Sequence, residues 1–153
     1  MATLQPGDPA PGFDLEDQNG NRVSLEGLRG RSVLVYFYPK AATPGCTTQA
    51  CGLRDVLGDI GDTAVLGISP DPVDRLARFD AKHSLGFPLL SDPDHAVAEA
   101  YGAWGRKKLY GKEYDGIIRS AFLVGPDGRL THAWYKVSPK ATPTNLLAAL
   151  ADA

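Results

Sequence analysis

Apolar residues collect along this chain in two kinds of pattern, and the contrast between them predicts most of the elements. Ser32 to Tyr38 is a continuous block of Val, Leu, Tyr and Phe closed by Pro39, the signature of a strand covered on both faces and so central in a sheet. Ala64 to Ser69 is a second such strand, and Phe87 to Leu90 is a short third one before Ser91-Asp92-Pro93. Between these runs the apolar positions recur at three- and four-residue steps, as Leu53, Val56, Leu57 and Ile60 and then as Leu76 and Phe79. Those steps lay one stripe along a helix. The first helix has Thr43 as an N-cap type residue and Pro44 at its first position, so it begins near Cys46; the second starts at Asp71-Pro72. Strands alternating with helices in this order imply parallel pairing.

The flanking segments follow antiparallel rules. After a Pro/Gly-rich lead-in over Pro6 to Gly12, Phe13 to Asp17 and Arg22 to Leu25 flank Asn19-Gly20, a pair that tolerates positive φ, and predict a hairpin. His95 to Tyr101 is helical in pattern. Gly116 to Val124 and Arg129 to Val137 are strand-like and joined by Pro126-Asp127-Gly128, a second hairpin, and Thr142-Pro143 caps a last helix carrying Leu146, Leu147 and Leu150. Gly105-Arg-Lys-Lys108 is expected as a solvated basic loop. The whole predicts an α/β chain: one domain over residues 1–153, with a mixed central sheet, helices on both faces and an N-terminal β-hairpin extension. That order is compatible with a thioredoxin-like fold.

Composition narrows the function classes. The chain has 153 residues, 43% hydrophobic and 22% charged, enough to bury a core without a metal or disulfide staple. Sixteen basic against eighteen acidic residues give a formal charge of -2, which provides no field for a nucleic-acid partner. No apolar run is longer than Val33 to Tyr38, which is far shorter than the roughly 20 residues of a membrane span. The start MATLQPGDPAPG lacks a basic head followed by an apolar stretch, so a cytoplasmic location is expected. His83, His95 and His132 are scattered, without partners at ligand spacing, and no metal is expected. Asp92 and Asp94, around Pro93, fit turn and cap roles rather than an acid/base pair.

The informative residues are the two cysteines, Cys46 and Cys51, which share one short segment. Two close thiols suggest redox chemistry or half of a metal site, against the plainer reading of two small apolar residues on a helix. Cys46 falls in the first turn of a helix that follows the carboxyl end of a central strand. Free amide hydrogens and the positive end of the helix dipole favour an anion there, and hence the nucleophilic thiolate.

At these residues the sequence resembles the peroxiredoxins, and within them the bacterioferritin comigratory protein, or Q-type, subfamily. Pro39, Thr43 and Cys46 match the PxxxTxxC signature, and Phe37-Tyr-Pro-Lys-Ala-Ala-Thr-Pro-Gly-Cys-Thr with Cys51 five positions on is similar to the Q-type site. The likeness extends to Gly7-Asp8-Pro9-Ala10-Pro11 with Phe13, to Phe87-Pro88-Leu89-Leu90-Ser91-Asp92, and to Arg119 ahead of Phe122-Leu123-Val124. What the resemblance implies is a thiol peroxidase acting on hydrogen peroxide or alkyl hydroperoxides. Cys46 would become a sulfenic acid, Cys51 would resolve it as an intrachain disulfide, and thioredoxin or a similar dithiol would reduce that disulfide. Thr43 would hydrogen-bond the thiolate or the peroxide, Pro39 would stiffen the loop, and Arg119 would supply fixed positive charge. No metal, haem or flavin is implied, and the resemblance favours a monomer. A protein disulfide oxidoreductase is the competing reading, against which stands the absence of CxxC; a non-catalytic module of the same fold is another.

The cysteine spacing adds a separate demand. Five residues of α-helix place the Cα atoms at their ends about 8 to 9 Å from each other, beyond the roughly 7 Å that a disulfide spans. Oxidation must therefore unwind residues 46 to 52, a step helped by Gly52, whose helix penalty against alanine is about 1 kcal/mol.

Overall fold

The computed structural model describes residues 3–109 and 111–151. Strand β1 (Asp14–Asp17) and β2 (Arg22–Ser24) form the expected hairpin. They are followed by β3 (Val33–Phe37), α1 (Pro44–Asp55), β4 (Ala64–Ser69), α2 (Val73–His83) and β5 (Leu89–Ser91). A short α3 (Ala96–Ala100), β6 (Trp104–Leu109), β7 (Lys112–Ile117), β8 (Ser120–Val124), β9 (Leu130–Trp134) and α4 (Ala141–Ala151) complete the chain.

Seven strands make one mixed sheet in the order β2-β1-β5-β4-β3-β8-β9. Only β3, β4 and β5 run parallel to their neighbours among themselves, and β8 and β1 flank that block antiparallel. The N-terminal hairpin is thus an edge of the main sheet, joined through β1 and β5.

The two-residue period of β3 divides the core. Leu34 and Tyr36 point to the face covered by α1, α2 and α4, where they meet Leu53, Leu76, Phe79 and Leu146. Val33, Val35 and Phe37 point to the other face, against Phe13, Ala98 of α3, Tyr101 and Phe122. Helices therefore lie on both faces, as the alternation implies. Gly67 on β4 is the register partner of Tyr36; a Cβ there would stand 2.7 Å from the Tyr36 hydroxyl, so only glycine lets that ring lie across β4.

Three expectations need correction. The strand expected over 116–124 breaks at Ile118-Arg119, where the Ile118 amide donates to the Ala103 carbonyl at 2.8 Å and the Ser120 hydroxyl to the Ile118 carbonyl at 2.8 Å. The first half becomes β7, paired only with β6 in a separate two-stranded ribbon. The basic run 105–108 is accordingly a strand, not a loop. Its pattern lacks apolar alternation because cross-strand charges support it, with Arg106 3.4 Å from Asp115 and 3.9 Å from Glu113. Finally, β9 stops at Trp134 short of Val137, since Lys136 takes φ +54° and turns the chain back.

The side chains at the helix ends also depart from the sequence signals. Helix α2 starts at Val73, directly after the expected Asp71-Pro72, with Pro72 in the N-cap position and the Asp71 side chain turned elsewhere. Thr142 lies inside α4, and the Ala141 amide is capped instead by the Ser138 hydroxyl at 3.2 Å. Asp92 does serve as a cap, accepting from the amides of Ala98 at 3.0 Å and Val97 at 3.3 Å. Among the described residues no helix is long and apolar enough to cross a membrane.

Candidate active site

Cys46 sits where β3 delivers the chain to α1. The loop between them is held by Asp71, whose Oδ2 accepts from the Ala41 amide at 2.7 Å and the Ser69 hydroxyl at 2.9 Å. Ala42 next to it adopts φ +68°, a conformation that costs a residue with a Cβ about 1 kcal/mol or more. Pro44 opens the helix and the first helical hydrogen bond runs from the Thr47 amide to the Thr43 carbonyl at 2.9 Å. The amides of Gly45 and Cys46 therefore precede the hydrogen-bonded ladder, at the positive end of the helix.

The Cys46 side chain is 1% exposed. Its sulfur accepts a hydrogen bond from Nη2 of Arg119 at 3.3 Å, while Nη1 of the same guanidinium donates to Oε1 of Gln49 at 2.6 Å. Gln49 is fully buried, and its Nε2 donates to the Thr142 hydroxyl at 2.9 Å, which in turn donates to the Ser138 carbonyl at 3.0 Å. The break between β7 and β8 is what frees Arg119 from the sheet and aims it at α1. Its carbonyl is held by the Val137 amide at 3.0 Å. Gly45 makes room for this approach: a Cβ there would stand 3.3 Å from Arg119 Nη2 and 3.5 Å from Pro139 Cγ.

Thr43 is half-buried at the N-cap position and does not cap α1 with its side chain. Its hydroxyl donates to the Lys40 carbonyl at 2.9 Å. With the proton committed there, the oxygen is left as an acceptor, so it suits a peroxide hydroxyl better than a thiolate. Pro39 lies just past the end of β3, half-buried, and has no polar contact with the sulfur. Cys51 is a partly buried free thiol packed against the core one and a half turns along α1, and Cys46 is also free. With α1 intact from Pro44 to Asp55 the two sulfurs are on different sides of the helix. The structure thus brings Arg119 onto Cys46, leaves Thr43 three residues before it with its hydroxyl on the Lys40 carbonyl, and keeps Cys51 apart.

Beneath the site Tyr36 and Tyr38 stack with ring centroids 5.5 Å apart. Burial pushes both phenols well above their ordinary range, so they stay neutral at physiological pH. Lys107 of β6 is pulled below its ordinary value, first by burial and then by the charge of Arg119, which puts the ribbon within the field of the site.

Sequence reasoning missed Gln49, Thr142 and Asp71. Gln49 left a trace: it is the one polar residue on the buried stripe of Cys46, Ala50 and Leu53, a position that needs a partner. Thr142 and Asp71 left none, because each matches a helix-start pattern while its side chain serves a distant partner.

A thioredoxin-like sheet that carries one thiol to the start of a helix, under a guanidinium, belongs with the thiol-dependent oxidoreductases. The model of the AhpC/TSA family matches residues 6–133. A putative peroxiredoxin of Mycobacterium tuberculosis is 55% identical over 141 residues, covering 91% of this chain and 88% of its own. Peroxiredoxin Bcp of Escherichia coli K12 is 52% identical over 136 residues, with 88% and 87% covered. Among solved structures, bacterioferritin comigratory protein of Xanthomonas campestris superposes with a TM-score of 0.87 at 35% identity, covering 99% of this chain and 97% of that one. A cysteine-to-serine mutant of Xylella fastidiosa PrxQ reaches 0.92 at 29% identity, over 99% and 98%. The chain therefore belongs to the AhpC/TSA family, among the peroxiredoxins of the bacterioferritin comigratory protein or Q type, and is a thiol peroxidase.

Proposed function

We propose that Cys46 is the peroxide-attacking sulfur, that Cys51 resolves it, and that a protein dithiol such as thioredoxin closes the cycle. The observation that carries this reading is the Arg119 guanidinium 3.3 Å from Cys46 Sγ at the first turn of α1. Two sources of positive potential, the start of α1 and the guanidinium, converge on one sulfur.

In the first step the Cys46 thiolate attacks the hydroxyl-bearing oxygen of ROOH. The O–O bond breaks, sulfur loses two electrons and keeps the OH as a sulfenic acid, and the alkoxide leaves and takes a proton to become ROH, or water when the substrate is hydrogen peroxide. Arg119 and the Cys46 amide face the charge that develops on the breaking bond, and Thr43 Oγ1 accepts from the peroxide hydroxyl. Pro39 fixes the start of the loop that holds Thr43. In the second step Cys51 attacks the oxidised sulfur, an S–S bond forms, and hydroxide leaves as water. The dithiol then returns two electrons and two protons by exchange and ends as a disulfide. The reading calls on no metal or organic cofactor, and it is of a monomer working in the cytoplasm.

Replacement tests the assignment. Cys46→Ser abolishes turnover, whereas Cys51→Ser retains the first oxidation and accumulates a sulfenic acid that dimedone captures and mass spectrometry locates at Cys46. Full cycling by Cys46→Ser overturns it.

A further inference from the structure

Next to the active-site loop, with Thr43 at its edge, lies a cleft of about 470 Å³ whose cations the peroxide chemistry does not call on. One wall is the loop itself, with Lys40, Ala42 and Thr43; the other is α2, with Arg75, Arg78 and Lys82 a turn apart and the edge of the buried Phe79 among them. Four cations therefore ring an apolar floor in a chain whose formal charge is -2. Arg75 leans on Asp71 and Arg78 on Asp74, both at a loose 3.7 Å. Lys40 and Lys82 are exposed and pair with no carboxylate among the described residues. Across the first turn of α1 a second groove, about 340 Å³, runs between Pro44 and Pro139 with Lys140 at its rim. The reactive turn is thus flanked by an apolar strip on one side and a basic strip on the other.

Hydrogen peroxide is neutral at physiological pH and gains nothing from four cations placed beyond Thr43. A protein that must bring a dithiol to a disulfide in this turn gains both orientation and encounter rate from them. We propose that the cleft between α2 and the loop 40–43 is the docking surface for the protein dithiol, and that the face it accepts is acidic around an apolar centre. This rests on the recycling step given above. In the docked pair one reductant thiolate attacks a sulfur of the Cys46–Cys51 disulfide, the S–S bond breaks and the displaced sulfur takes a proton. The second reductant thiol then releases the mixed disulfide, so two electrons and two protons pass to the enzyme.

The test separates the two half-reactions in the double variant Arg78→Glu/Lys82→Glu, both on the exposed face of α2 and outside the reacting group. Stopped-flow measures oxidation of the reduced protein by hydrogen peroxide, reduction of the oxidised protein by thioredoxin, and reduction by dithiothreitol, each at low and high salt. Expected are unchanged rates with peroxide and dithiothreitol, a thioredoxin rate about tenfold lower, and loss of most of its salt dependence. Arg78→Lys/Lys82→Arg, which keeps the charge, restores the rate. An unchanged thioredoxin rate overturns the docking surface while leaving recycling intact. A fall in the peroxide rate alone overturns it in favour of a substrate role for the cleft. A wild-type disulfide that dithiothreitol reduces but thioredoxin does not overturns the recycling reading and the docking surface with it.

Discussion

Nη1 of Arg119 is 2.6 Å from Oε1 of Gln49, a shorter contact than the 3.3 Å from Nη2 of the same group to Cys46 Sγ. Sulfur is the larger acceptor, so both are close contacts, and one guanidinium joins the buried amide to the thiol. Gln49 is itself fixed by Thr142 and, through it, by the Ser138 carbonyl ahead of α4. Gln49→Leu leaves one guanidinium arm and the Thr142 hydroxyl without their buried partner, at a cost of about 1 to 3 kcal/mol in stability. It is expected to slow Cys46 oxidation by about tenfold, as a hydrogen-bond donor drifts from its place. The measurement that isolates positioning is stopped-flow oxidation of Gln49→Glu, which keeps an acceptor oxygen for Nη1 and is expected to recover most of the rate; no recovery assigns the loss to the fold alone.

Arg119 acts on the reacting atoms directly, so its loss is larger. Arg119→Met keeps most of the stem and removes the fork. Peroxide oxidation is expected to fall by about 10² to 10³, the range for deleting one donor aimed at developing charge. Arg119→Lys restores little, because an ammonium cannot serve Cys46 and Gln49 at once with the planar geometry that both contacts need. Stopped-flow tryptophan fluorescence on the three proteins checks the order, and near wild-type rates in Arg119→Met remove the guanidinium from the reaction.

How far the chain discloses this arrangement depends on whether a signal is local. The buried run of β3, the Pro44 start of α1 and the position of Cys46 follow from neighbours in sequence, and the structure has them as expected. The ribbon of β6 and β7 does not, because Gly105-Arg-Lys-Lys108 carries no hydrophobic period and draws its support from Glu113 and Asp115 across the turn. Asp71 and Thr142 mislead for a related reason. Each stands beside a proline in a helix-start pattern, yet long-range partners claim both side chains, Ala41 in one case and Gln49 in the other. Arg119 was legible as a residue of the site by its resemblance, while the chain break that turns it toward Cys46 was not.

The carboxyl of Asp92 gives a pH dependence with a definite sign. Burial pushes it above the ordinary carboxylate value, and the amides of Ala98 and Val97 only partly offset this. Between the unfolded and the raised folded value the native state holds more protons than the unfolded chain, so stability falls with rising pH across that window. The contribution is complete below the unfolded value, about 3.9, and is lost as pH passes the folded one. Asp92→Asn removes the titration and one acceptor for α3. Its stability relative to wild type, from urea unfolding at a series of pH values, is expected to start lower in acid and to gain as pH rises; a constant difference refutes it.

The last relationship concerns Gly52 and Pro143, which meet where α1 lies against α4. A Cβ on residue 52 would stand 3.0 Å from Pro143 Cγ, so the absence of a side chain permits the close approach of the helices. The same glycine is a weak point in α1, as a helical glycine costs about 1 kcal/mol against alanine. A disulfide between Cys46 and Cys51 cannot form within the intact turn. It must unwind residues that now seal Pro143, and with them the Gln49 to Thr142 bond that holds Arg119. Oxidation is therefore expected to loosen the guanidinium and the start of α4 as well as α1. Hydrogen exchange on the reduced and oxidised protein should show protection lost over residues 46–52 and lowered at 141–146, while β3 and β4 remain unchanged. Equal protection of α1 in both states would exclude the unwinding and, with it, a direct bond between these two sulfurs.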